Sequence, residues 1–233
     1  MDRFFSSAEN RLKKIAISGG AAVTGKADPI VSLPDGDIWP KALLSDGKTL
    51  LFEQYISTDT MDNIGMLSLE GNRAPKLLLQ ERYSEDNSHI SSDGRWLAYV
   101  SNESGTNEVY VRPFPDIDKG KWPVSTDSGD SPLWSPEGRQ LFYRSGDSFM
   151  SVEIDTESAF SLGKPTVLFK GIYASYPGMN QYALWDIHPD GKRFLMMKPT
   201  ASTGEVPAAA APQLKINVVL NWLEELKGRV PVK

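Results

Sequence analysis

The sequence predicts an all-β fold made of repeated sheets, and three observations carry that reading. First, one short turn signature occurs four times: Leu44-Ser45-Asp46-Gly47-Lys48, Ser91-Ser92-Asp93-Gly94-Arg95, Ser135-Pro136-Glu137-Gly138-Arg139 and His188-Pro189-Asp190-Gly191-Lys192. Glycine tolerates the positive φ a tight hairpin needs, and an Asp beside it accepts hydrogen bonds from its own local backbone. Second, each copy launches an aliphatic and aromatic run suited to a buried strand, such as Leu50-Leu51-Phe52 or Trp96-Leu97-Ala98-Tyr99-Val100. Third, the turn glycines fall at 47, 94, 138 and 191, so successive copies lie 47, 44 and 53 residues apart. A near-constant period of this length, in a chain of strands, is the mark of propeller blades.

Taken in order, residues 11–24 read as two short strands around Gly19-Gly20. They serve either as the outer strands of a blade whose inner strands come from elsewhere or as a free N-terminal hairpin, and lone hairpins are marginal in water. The first full blade spans about 37–79, with strands at 39–44, 49–55, 63–68 and 74–79. The second spans about 87–125 and the third about 130–170. The fourth opens near 181 and runs to 220, completed by the strands in 11–24. Residues 199–213 are rich in Ala, Pro and Thr and predict a flexible insertion. After the strand 214–220, Asn221 as N-cap, Glu224 three residues on and Gly228 as stop predict one short C-terminal helix. The whole chain, 1–233, is thus expected to be one propeller domain of about five four-stranded blades. A six- or seven-bladed propeller truncated at its N-terminus is the alternative, and its open edge would favour dimers.

Composition narrows the partners. With 233 residues, 40% of them hydrophobic and 24% charged, the chain is long enough for one large all-β domain or two small ones. A net charge of -5 argues against a general affinity for nucleic acid or an anionic membrane. There is no cysteine, hence no disulfide and no thiolate metal site. Residues 1–7 lack the sustained apolar core of a signal peptide, and no run approaches the ~18 apolar residues of a membrane span. The expectation is a cytoplasmic chain or a piece of a longer exported or membrane-anchored protein.

The turn followed by a Leu- and Phe-rich strand resembles the TolB-type, WD-like β-propeller repeat, most clearly at Ser92-Asp93-Gly94-Arg95-Trp96-Leu97-Ala98-Tyr99 and Trp134-Ser135-Pro136-Glu137-Gly138-Arg139. Residues 92–115, 122–145 and Asn217-Val218-Val219-Leu220-Asn221-Trp222-Leu223-Glu224-Glu225-Leu226 are similar to the C-terminal propeller of bacterial serine/threonine kinases. Ser45 and Ser92 stand where the pattern has Pro, and His188 where it has Ser. The kinase catalytic motifs are missing from the sequence. The resemblance implies an extracytoplasmic sensing or assembly module in bacteria with a protein or peptide partner.

No catalytic motif is legible. The two histidines, His89 and His188, occupy unrelated repeat positions, and no Gly-x-Ser-x-Gly elbow occurs. His188 fills a generic turn slot. The repetition of an acid before and a cation after every turn glycine reads as a structural device, such as an ion pair between blades, because a site is asymmetric whereas scaffolding repeats. Candidate ligand groups are the polar residues expected where the innermost strands open on the central channel: Asp37, Asp86, Asn87, His89, Asp130, Asn180 and Tyr182. No cofactor is implied, although oxygen ligands converging from several blades could hold a cation such as Ca2+. The plain alternative is that loops are polar anyway. Tyr83, Tyr173, Tyr176, Trp185 and Trp39 fall in or beside loops, as ligand anchors or as inter-blade packing. The favoured function is therefore a non-enzymatic binding, scaffold or sensor propeller recognising a protein, peptide or small ligand. The competing class is a propeller glycosidase, lyase or lactonase that uses channel carboxylates.

Overall fold

The computed structural model describes residues 2–7, 11–16, 28–33, 36–56, 62–71, 73–156, 159–174 and 183–197. These residues contain eighteen strands, one 3-10 turn at Ile117–Lys119 and no α-helix. The expected insertion at 199–213, strand at 214–220 and C-terminal helix lie outside the described residues.

Among the described residues, five antiparallel sheets follow one another along the chain. The first joins β1 (Asp2–Ser7), β2 (Arg11–Ala16) and β3 (Asp28–Ser32). Residues 11–16 are therefore the middle strand of three, and residues 21–24, expected to pair with them, lie outside the described residues. The second sheet is β4 (Asp37–Leu43), β5 (Thr49–Tyr55), β6 (Asn63–Ser68) and β7 (Pro75–Leu79). The third is β8 (Glu85–Ile90), β9 (Trp96–Ser101), β10 (Glu108–Pro113) and the two-residue β11 (Trp122–Pro123). The fourth is β12 (Asp130–Trp134), β13 (Gln140–Ser145) and β14 (Ser148–Asp155), whose outer edge is shared by β15 (Ser161–Leu162) and β16 (Thr166–Lys170). The fifth pairs β17 (Trp185–Ile187) with β18 (Phe194–Met196). The first strands of successive sheets are neighbours, β1 beside β4, β4 beside β8 and β8 beside β12. The sheets are the blades of a β-propeller.

The four turns share one geometry. Gly47, Gly94, Gly138 and Gly191 have φ of 66, 72, 71 and 68°. Each glycine N–H donates to the carbonyl three residues back, at Leu44, Ser91, Ser135 and His188. Asp46, Asp93 and Asp190 each accept the backbone N–H of the cation two residues on, at 2.8, 3.0 and 2.9 Å. Glu137 is one methylene longer; in its turn the Ser135 hydroxyl accepts the Gln140 N–H at 3.1 Å. The cations pair locally, Arg95 with Asp93 at 2.6 Å and Lys48 with Glu70 at 3.1 Å, both within one blade. For Arg95 and Lys48 these ion pairs thus lie within a blade, where the sequence predicts pairs between blades.

Four apolar clusters make the core, each lying in the seam between two consecutive sheets. Leu50 and Phe52 of β5 pack toward Ile30 and Val31 of the first sheet. Leu51, between them, packs with Leu97 and Tyr99 of β9. Ala98 and Val100 point the other way, against Trp134, Leu141 and Tyr143. Phe142 and Phe149 then meet Trp185 of the fifth sheet, with Phe194 and Met196 packed beside them. Two-residue alternation along β5, β9 and β13 thus divides each of them between two seams.

Gly65 faces Phe52 across the β5–β6 ladder, and a Cβ there would lie 2.4 Å from Phe52 Cζ. Gly65→Ala is expected to destabilise the fold by about 1–3 kcal/mol through overpacking. Leu97→Ala, which hollows the neighbouring seam, is expected to cost about 2–5 kcal/mol. Urea denaturation followed by tryptophan fluorescence measures both, and a neutral Gly65→Ala would show that Phe52 does not rest on the glycine.

Candidate functional site

The inner strands β4, β8 and β12 begin at the end of the propeller opposite the Asp-Gly turns. β8 and β12 both carry a bulge there, between Asp86 and His89 and between Asp130 and Leu133. Asn87 and Ser131, each the seventh residue before its turn glycine, sit in these bulges with φ of 51 and 52°. A bulge re-aims the residues beside it. Here it brings together carboxylates from two blades, because Asn87 Nδ2 donates to Asp130 Oδ1 at 3.0 Å and to Asp86 Oδ1 at 3.3 Å. The N–H of Ser131 adds a bond of 2.6 Å to Asp130 Oδ1.

Two further acids come from the second blade. Glu53 continues the alternation of β5 past Leu51, so it faces the third blade, where Oε1 accepts the Ser88 N–H and hydroxyl, both at 2.7 Å. Its Oε2 lies 3.2 Å from Lys41 Nζ. Asp62 precedes β6; its Oδ2 accepts from the Ser84 hydroxyl at 3.2 Å, while its buried Oδ1 has no hydrogen-bond partner. Burial, reinforced by Glu53, Asp130 and Asp62 and opposed by Lys41, holds the Asp86 carboxyl well above the usual carboxylate range. Burial likewise pushes Asp62 up to about 6, against the bond from Ser84 and with Glu53 adding to it. Glu85, the first residue of β8, is pushed up to about 7, chiefly by burial.

Of the residues singled out from the sequence, Asp86, Asn87 and Asp130 are brought together. Asp37 heads β4 opposite Tyr55 and is not one of the charges acting most strongly on Asp86. His89 belongs to the seam instead. Its Nδ1 accepts the Trp134 N–H at 3.3 Å and its carbonyl accepts from Trp134 Nε1 at 3.2 Å, which ties β8 to β12. Burial pushes this imidazole down to about 4, with Asp186 pulling the other way, so it is neutral at pH 7. Asn180, Tyr182 and Tyr176 lie outside the described residues. Trp185 of the fifth sheet is buried against Phe149 of the fourth, which is inter-blade packing, and Tyr173 meets the same Phe149 ring edge-on. His188 hydrogen-bonds within its own turn. No grouping of three or more His, Asp or Glu side chains with metal-holding geometry occurs among the described residues.

Glu53, Asp62 and Lys41 carried no repeat signature, and reading only the first strand of each blade missed them. One signal was available. Glu53 is a charge six residues after its turn glycine, where the next blade has Val100.

No protein-family model and no curated protein matches the chain. Among solved structures it is similar to a puromycin-hydrolysing peptidase of Mycobacterium tuberculosis, with TM-score 0.61 and 20% identity over 84% of this chain and 33% of that one. It is similar to an oligogalacturonate lyase in complex with manganese, with TM-score 0.58 and 12% identity over 86% of this chain and 56% of that one. A TolB-like protein of Agrobacterium tumefaciens matches with TM-score 0.51 and 15% identity over 68% of this chain and 56% of that one. At these identities the likeness establishes the propeller fold. The chain spans from 33% to 56% of the length of these three structures.

Asp62 and Glu85 titrate higher in the fold than in an unfolded chain, so between pH 4 and 7 the folded state holds protons that unfolding releases. Their contribution makes stability fall as pH rises through that window and level off above it. Asp62→Asn and Glu85→Gln are each expected to flatten the fall and raise Tm at pH 7.5. Thermal unfolding by circular dichroism from pH 4.5 to 8 tests this; a slope unchanged in both variants would contradict it.

Proposed function

We propose that this propeller is a non-enzymatic binding module that recognises a protein or peptide at the open end of its inner strands. The observation that supports the reading is the convergence of Glu53, Asp62, Asp86 and Asp130 from three blades on one buried patch whose polar groups are incompletely satisfied. Such a patch fixes the orientation and chemistry of an incoming group, as a small number of placed polar atoms does in most recognition sites. A catalytic reading would require an acid and a base poised against each other. His89, the histidine nearest this end, spends one ring nitrogen on Trp134 and is neutral. The similarity of residues 217–226 to kinase-linked propellers suggests the wider role, a sensor or assembly end of a longer bacterial protein acting outside the cytoplasm.

The second reading, a propeller lyase, lactonase or glycosidase, draws on the raised carboxylates, since a carboxyl protonated near neutrality can act as a general acid. One experiment separates the two. Immobilised wild type and the Asp86→Asn/Asp130→Asn variant are presented with a displayed random-peptide library, and both are assayed against oligogalacturonate and lactone substrates. The module reading expects peptides enriched on wild type and lost on the variant, with no turnover by either protein. Turnover by wild type that the variant lacks would overturn it in favour of the enzyme.

A further inference from the structure

We propose that the carboxylate cluster at the heads of β8 and β12 binds an organic cation, the ammonium or guanidinium group of a lysine or arginine side chain on the partner. This rests on the binding-module reading and names the chemistry its ligand carries. The chain already places one ammonium in the cluster. Lys41 Nζ stands 3.2 Å from Glu53 Oε2, with side chains only 13% and 3% exposed. Of the charges that act most strongly on Asp86, three are acids, Glu53 on β5, Asp130 on β12 and Asp62 ahead of β6, and one is a cation, Lys41 on β4.

Unfilled acceptor capacity is a separate observation. Asp62 is 9% exposed, yet its Oδ1 is buried without a hydrogen-bond partner. A buried carboxylate oxygen left in this state is costly unless a donor reaches it. Glu108 provides the contrast. It is 4% exposed, but Ser125, Ser128 and Thr106 all donate to it, and it needs nothing further. Donor number decides the ligand class. A hard metal ion needs a compact oxygen shell at about 2.3–2.6 Å, and no such grouping occurs among the described residues. An ammonium offers three N–H donors and a guanidinium five, fanned outward, so either can bridge carboxylates that are spread over separate strands. The left-handed residues Asn87 and Ser131 hold Asp86 and Asp130 in place before the ligand arrives.

The test uses the 15N-labelled full chain and reads the amide shifts of Asn87, Ser88 and Ser131. The titrants are the blocked peptides Gly-Lys-Gly and Gly-Arg-Gly, the Nε-acetylated twin of the lysine peptide, and calcium chloride. The lysine and arginine peptides are expected to give saturable shifts at pH 7.5, and the acetylated twin and calcium none. Affinity is expected to fall about tenfold or more in Asp62→Asn and in Asp86→Asn, the loss of one charge-assisted hydrogen bond. It is also expected to weaken at pH 5, where protons compete for the same oxygens. Asn reproduces the shape of a protonated Asp, so Asp86→Asn keeps the fold, and Asp62→Asn gives a second, independent reading. Equal shifts from the acetylated twin, a response to calcium alone, or indifference to both substitutions would overturn the inference. Library peptides that depend on Asp86 and Asp130 but lack Lys and Arg would sink the cation alone and leave the binding module standing. An empty selection would remove the module as well.

Discussion

Adjacent residues of a strand in this protein belong to different cores. Leu50 and Phe52 face one neighbouring blade and Leu51 the other; Leu97 and Tyr99 face one, Ala98 and Val100 the other. None of the second, third and fourth sheets therefore has a core of its own, and each contributes to two. A fully buried Leu or Val contributes about 1.5–3 kcal/mol, but here that gain exists only while both blades bordering the seam are in place. The Asp-Gly turns matter for the same reason. A slip of one residue in β9 would send Tyr99 and Val100 to each other's seams and spoil both cores at once, and the hydrogen bonds around Ser91, Asp93 and Gly94 hold the register against it.

The same alternation builds the acidic patch. Glu53 follows Leu51 by two positions, so it must enter the seam that Leu51 fills, and at that seam's open end it meets Ser88 of the next blade. Asp86 and Asp130 would lie along their strands by the same rule, but the bulges at Asn87 and Ser131 interrupt the period and turn both toward one patch. A propeller seam gathers polar groups at its ends because apolar side chains stop there. Satisfaction separates structural groups from candidate ones. Glu108 is closed by donors from its own surroundings, whereas Asp62 retains an empty acceptor and Asp86 a single weak bond from Asn87.

Most of the fold could be read from the sequence because its signals are local. A turn glycine with its acid, followed by an apolar run, is a device of about ten residues, and each copy fixed two strands and the hairpin between them. The outer strands were harder to place. Trp122-Pro123 forms a strand of only two residues, too short to show a period, and Asp2–Ser7 joins a sheet with no turn signature to announce it. The patch was half legible. Asp86 and Asp130 occupy the same register in consecutive repeats, so aligning turn glycines found them together. Glu53, Asp62 and Lys41 join them only through packing between blades, a relation that no spacing within one repeat encodes. His89 stands two positions beyond Asn87 and looked equivalent to it, yet it follows the bulge, and its imidazole bonds Trp134 in the seam.

The fold alone does not choose a chemistry. The peptidase, the lyase and the TolB-like protein share the radial frame with this chain, and a frame that serves such different proteins leaves function to the side chains at its ends. What marks this end is surplus negative charge held in poor solvation. Carboxylates that crowd one another out of water are poor partners for anions and for neutral sugars unless protonated. They gain most from a group that brings positive charge and several N–H donors together. The raised affinity of Asp62 and Asp86 for protons is the same preference expressed toward the smallest cation available. A site that holds protons this way in the free protein would release them to a larger cation, and its proton affinity and the proposed ligand chemistry would then have one physical origin, the burial of carboxyl groups beside one another.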